Sequence, residues 1–208
     1  MALDLLVCVA TEFEGALLRS HAPPSVTVIR TGVGAVNAAY ALTSFIARER
    51  PGAIVVCGIA GAYPGSELPV GSVACAQSEC YGDLGAASPE GFLDMQALGF
   101  PLVPGPSPLY NVFPMQIFPA ARRERFVTVN TCTGSDDAAR AMRVRTGGAV
   151  ESMEGAAIAH VATLSGIPVG EIRGISNVAG NRDRSAWCVK EAAAAAQQEL
   201  LKWIALRV

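Results

Sequence analysis

The chain has 208 residues, 51% of them hydrophobic and only 16% charged, with a net charge of -2 and a pI near 5.7. That composition excludes intrinsic disorder and leaves no basic footprint for nucleic acid or an anionic membrane surface. The length lies below the roughly 250–300 residues at which one core stops growing, so a single domain over 1–208 that handles a small molecule is expected.

The opening residues, MALDLLVCVATEFE, have no basic n-region and meet Asp4 at once, so they read as a strand over 3–10 and not as a signal peptide. A short helix is expected near 13–20, a strand over 26–32, and an amphipathic helix over 36–49 that stops before Pro51. AIVVCGIAG at 53–61 reads as a fully buried strand, and 70–80 alternates like a half-buried one. Between 81 and 119 more than half of the thirteen prolines collect, so this segment reads as an irregular excursion able to cover a ligand. A strand then runs through RFVTVNTCTG at 125–134, followed by a helix over 136–145. GAVESMEGAAIAHVATLSG reads as a strand and a helix ended by Gly166. IPVGEIRGIS is the last strand, and a helix over about 187–206 closes the chain. The alternation predicts an α/β fold with a central mixed β-sheet flanked by helices. No apolar run reaches the ~20 residues that cross a bilayer. Six scattered cysteines without a CxxC and two histidines far from ligand spacing predict free thiols in a reducing cytoplasm and no metal.

In open α/β sheets ligands bind beyond the carboxyl ends of strands. Four such ends carry candidate residues: Glu12 and Glu14, the Gly58–Ala62 turn, Glu151 to Glu154, and Ser176-Asn177. Glu12 and Glu14 stand at i, i+2, so at most one faces a shared cleft; both also suit a helix start. TGVG at 31–34 lacks the GxGxxG spacing and the Walker lysine, and reads as a strand-to-helix turn. Glu154 opens a helix of small residues, where it is either a cap or a functional carboxylate, and His160 reads as a core histidine.

In order along nearly the whole chain, ATEFEGALL, TGVGAVNAA, CGIAGA and SMEGAAIAHVATLSGIPVGEIRGISN resemble the nucleoside phosphorylase and hydrolase superfamily. The nearest relatives implied are the 5'-methylthioadenosine/adenosylhomocysteine nucleosidases and the futalosine hydrolases. The resemblance implies a nucleoside phosphorylase-like fold with Glu14 activating water, Glu154 on the ribose hydroxyls, and Met153, beside Ser152, against the sugar. It also implies that the backbone from Ile59 to Gly61 lines the purine or water site, with no cofactor and a homo-oligomeric assembly.

Two departures narrow the reading. Where the methylthioadenosine enzymes carry an Asp after the RxIS serine, this chain has Asn177. An amide donates to the O6 and N7 acceptors of a 6-oxopurine but cannot act as an acid. Second, the aromatic base-stacker that the adenine-specific relatives carry after the SG/TG turn has no equivalent in Gly134-Ser135-Asp136-Asp137. Separately, the third strand lacks the arginine with which phosphorylases hold phosphate, leaving Arg30 as the one nearby base. With YGDLG and NRDRSAW, these features resemble futalosine hydrolases, which release hypoxanthine and dehypoxanthinyl futalosine on an alternative route to menaquinone. The substrate's aromatic carboxylate is then expected under the 81–119 segment, near Arg122 and Arg123. A methylthioadenosine nucleosidase, a purine nucleoside phosphorylase and a non-catalytic nucleoside binder remain as alternatives.

Overall fold

The computed structural model describes residues 4–207. The first strand, β1 (Leu5–Val9), is LLVCV and is buried on both faces, as a continuous apolar run in a parallel sheet should be. Leu3, the start of the strand expected from sequence, lies outside the described residues. A single turn of 3-10 helix, Phe13–Gly15, leads into α1 (Ala16–His21), then β2 (Val26–Arg30) and α2 (Ala35–Ile46). The long β3 (Ala53–Ala62) pairs in parallel with β1 through Ala53 to Val56. It is followed by β4 (Val73–Tyr81), β5 (Gly85–Ser88), β6 (Gly91–Asp94), β7 (Val112–Pro114) and β8 (Arg123–Thr128). The chain ends with α3 (Asp136–Thr146), β9 (Val150–Ser152), α4 (Gly155–Leu164), β10 (Val169–Val178) and α5 (Val189–Ala205).

The sheet is mixed. β1 pairs in parallel with β2 and β3, and β3 pairs in parallel with β10 along its length. β10 meets β4 antiparallel, β4 meets β8 in parallel, β8 meets β9 in parallel, and β9 returns antiparallel to Gly61 and Ala62 of β3. Five strands therefore close on themselves while β1 and β2 extend the open side. Apolar residues of α2 and α4 cover one face, and those of α1 and α5 cover the other with Val7, Val55 and Ile172. This is the α/β sheet flanked by helices that the periodicity predicts.

The 81–119 segment differs from its reading as an irregular excursion. It carries the β5–β6 hairpin, and β7 joins the main sheet against β4. Asn111 fastens it internally, accepting from the Met95 amide at 2.7 Å and donating to the Leu84 carbonyl at 2.8 Å. Strands of three or four residues between prolines are too short to show a period, which is why the sequence hides them.

Candidate active site

The carboxyl ends of β1, β3 and β10 and the start of α4 open into one cleft with a cavity volume of about 210 Å³, concave and largely apolar as small-molecule sites are. Glu14, Ile59, Gly61, Ser152, Met153, Glu154 and Asn177 all line it. The strand connectivity thus gathers these residues from four distant parts of the chain.

Glu14 sits in the 3-10 turn after β1 and is only 3% exposed. One carboxylate oxygen accepts from the Ile59 amide at 3.0 Å, the other from the Thr11 amide at 3.0 Å and the Thr11 hydroxyl at 2.5 Å. Glu12 points away to Arg19 at 2.9 Å and Arg30 at 3.9 Å, so of the two acids only Glu14 faces the cleft. Gly58 makes this approach possible, because a Cβ there would stand 2.5 Å from Glu14 Oε1 and 2.6 Å from Arg173 Nη1.

Glu154 occupies the N-cap position of α4 but makes no capping bond with its side chain. Its Oε1 accepts from the Gly34 amide at 3.0 Å and its Oε2 faces Arg173 Nη2 at 3.4 Å. The TGVG turn therefore serves a protein carboxylate: Gly32 and Gly34 take positive φ angles, and the freed amide at the head of α2 is turned on Glu154.

Arg173 of β10 is 1% exposed and ties the acids together. It donates to Glu171 at 2.7 Å, the Ile59 carbonyl at 3.2 Å, Ser152 Oγ at 3.3 Å and Glu154 at 3.4 Å. Burial alone would lower its pKa, but Glu171, Glu154 and Glu14 together hold it above the ordinary guanidinium value.

A one-residue bulge at Ser176 shifts the β10–β3 register and brings Asn177 opposite Gly61. Asn177 Oδ1 accepts from the Ser176 hydroxyl at 2.7 Å, and Nδ2 donates to the Val178 carbonyl at 3.0 Å. Turning the amide over would set oxygen against oxygen at Val178, so the network fixes Nδ2 as the group with a hydrogen to spare. Beside it, Glu151 accepts from the Thr133 amide at 2.9 Å and from the Thr133 hydroxyl.

Some features were not legible beforehand. Arg173 lies inside the quoted RGIS run without an assigned task, and Phe13, Arg182 and Trp187 line the cleft in positions that periodicity does not single out. Phe13 and Trp187 supply the aromatic surface that Gly134 to Asp137 lack. Other expectations are corrected. No residue of 81–119 lines the cleft. Arg122 is paired with Glu124 at 2.5 Å and Arg123 lies 4.0 Å over the Phe118 ring, so neither reaches it. His160, by contrast, packs as the core group it was expected to be, stacked on Phe113 at 5.1 Å and facing the Leu102 carbonyl at 3.1 Å.

Residues 20–205 match the family model described as the phosphorylase superfamily, and the chain belongs to that superfamily. Within it, the chain groups with the futalosine hydrolase family. It is 33% identical to the futalosine hydrolase of Thermus thermophilus over 85% of this chain and 80% of that protein. It is 40% identical to that of Streptomyces coelicolor over 68% of this chain, a match that spans only 60% of the relative's length. The futalosine hydrolase of Acidothermus cellulolyticus is 35% identical over 77% of this chain and 67% of its own. Among solved structures, the methylthioadenosine/S-adenosylhomocysteine nucleosidase of Colwellia psychrerythraea, in complex with adenine, superposes with a TM-score of 0.83. That match is 21% identical and covers 100% of this chain and 96% of the other. The Neisseria meningitidis nucleosidase with methylthio-immucillin-A gives 0.80 at 21% identity, over 97% and 99%. At these identities the two structures speak to the fold alone.

Proposed function

We propose that the chain hydrolyses the N-glycosidic bond of futalosine, releasing hypoxanthine and dehypoxanthinyl futalosine in menaquinone biosynthesis. The observation that carries the reading is the convergence of Glu14, Glu154 and the Asn177 amide on one cleft. Glycosidic cleavage passes through an oxocarbenium-like state, which a nearby carboxylate stabilises. Glu14 takes the proton of the attacking water, work that contributes roughly 10²–10⁴-fold in rate. Glu154 accepts from the ribose hydroxyls with Met153 and Ser152 beside the sugar, and the Ile59–Gly61 backbone borders the base. Asn177 Nδ2 donates to O6 or N7 of the leaving purine, which suits hypoxanthine better than adenine.

Water as the nucleophile is supported by the state of the nearby cations. Arg173 already makes four hydrogen bonds with protein acceptors and Arg30 is exposed and tied to Glu12, which leaves Arg182, among the described residues, as the single cleft arginine open to an anion where phosphorylases use several. The substrate's aromatic carboxylate is assigned to the mouth of the cleft, where the Arg182 guanidinium stands 5.2 Å over the Trp187 ring. An assembly of identical subunits is supported by Val36 and Tyr40, 81% and 74% exposed one turn apart on α2. Six free thiols, four of them buried, suit a cytoplasmic setting.

The test is to incubate the protein with futalosine, inosine and methylthioadenosine, each with and without phosphate, and to identify the free base by chromatography. Hypoxanthine from futalosine at a phosphate-independent rate is expected. Adenine as the faster product, or a requirement for phosphate, would overturn the reading.

A further inference from the structure

Behind the cleft lies a second pair of carboxylates that the reaction above does not use. Glu79 of β4 and Glu171 of β10 are both fully buried. A Cβ on Gly155 would overlap oxygens of both, so the two side chains converge on the bare Cα that begins α4. Their other contacts are asymmetric. Glu79 accepts from Thr128 Oγ1 at 2.7 Å and from the Cys80 amide at 2.9 Å. Thr128 in turn accepts from the Ala156 amide at 2.7 Å. Glu171 gives Oε1 to Arg173, while its Oε2 is buried without a hydrogen-bond partner.

An unpartnered carboxylate oxygen facing a second carboxylate in a dry interior costs more than the pair can sustain with both groups ionised. We propose that Glu79 and Glu171 hold one proton between them as an acid–carboxylate pair, which fixes Glu171 and through it the Arg173 guanidinium that steadies Glu154. The proton resides on Glu79 and is donated to the orphaned Oε2. The charged and titratable groups facing the pair are Arg173 and Glu154 at the cleft side, Cys57 of β3 beside Glu171, and Tyr63, Tyr81 and Cys80 behind Glu79. Burial first, then Glu171, raises the Glu79 pKa well above the carboxyl range, and burial raises Glu171 against the opposing pull of Arg173. Both residues are positioning groups: neither reaches the cleft, and they act on the sugar site only through Arg173. The link to the nucleoside rests on the function proposed above; the shared proton does not.

The proton is read by infrared spectroscopy on the full-length protein at pH 7. A carboxylic acid C=O band is expected in the wild type and absent in Glu79→Gln; a wild-type spectrum without a band that this substitution removes would overturn the pair. The positioning role is read by kinetics. Glu79→Gln retains a donor toward Glu171 and is expected to keep KM within about threefold, whereas Glu79→Met offers none and is expected to raise KM about 10-fold, with the smaller effect on kcat. Equal KM values in the Met variant and the wild type would overturn it. If the wild type cleaves no nucleoside, the functional reading fails while the infrared band still decides the pair.

Discussion

Gly58→Ala adds one methyl group at the point where the geometry is tightest. The backbone at 58 is ordinary strand, so alanine meets no conformational penalty and the perturbation is one of space. The new Cβ would stand 2.5 Å from Glu14 Oε1, so the carboxylate has to withdraw by about 0.9 Å to reach an ordinary contact near 3.4 Å. Arg173 Nη1, at 2.6 Å, is pushed the same way. Neither side chain can escape to solvent, since both are buried and held by the Ile59 and Thr11 amides or by Glu171. A displacement near 1 Å of a group that acts on the reacting atoms costs about 100-fold, equivalent to about 2.7 kcal/mol of barrier. Steady-state release of hypoxanthine should therefore show kcat lowered about 100-fold. Overpacking of roughly 1–3 kcal/mol should appear as a lower Tm in circular dichroism. Gly134→Ala is the control, because a Cβ there meets nothing within 4 Å. A folded Gly58→Ala variant with kcat within about threefold of wild type would refute the reasoning.

Three further outcomes follow from the same geometry. Asn177→Asp replaces a fixed amide donor by a group that can carry a proton to adenine, so the ratio of kcat/KM for methylthioadenosine to that for futalosine should rise about tenfold, measured by competing the two substrates. Arg182→Ala should raise KM for futalosine about tenfold and leave that for inosine, which has no anionic tail, unchanged. In thermal melts from pH 5 to pH 8, the Tm of Glu79→Gln relative to wild type should climb with pH. The folded pKa of Glu79 is raised by burial and by Glu171, so above the ordinary carboxyl value the unfolded chain sheds a proton that the folded chain keeps. That difference drains wild-type stability as pH rises, and the glutamine variant is exempt; a flat difference would contradict the shift.

Much of the fold was legible because β1 and β3 are unbroken apolar runs and the helices between them keep a 3.6-residue period; α4 even stops where Gly166 adopts its positive φ. The sheet's closure was not legible. It depends on the three-residue β9 returning to Gly61, and no period exists at that length. Within the cleft, Glu14 and Glu154 stand out as acids at strand ends, whereas Arg173 is hidden in a strand where alternation explains any residue. Its ion pair with Glu154, on another element, appears only once the chain has folded and β10 lies between β3 and β4. The expectation that 81–119 covers the cleft failed for a related reason. Proline-rich composition marks 81–119 as unusual, but position relative to the cleft is a property of the folded chain, and it is Arg182 that lines the cleft.

The most direct measurement is single-turnover release of hypoxanthine from futalosine in phosphate-free buffer by the wild type and by Glu14→Gln, which keeps the shape of the side chain and removes its capacity to take a proton. The account predicts hypoxanthine from the wild type and a rate at least about 100-fold lower from the variant, with futalosine still bound. Equal rates from the two proteins would contradict it.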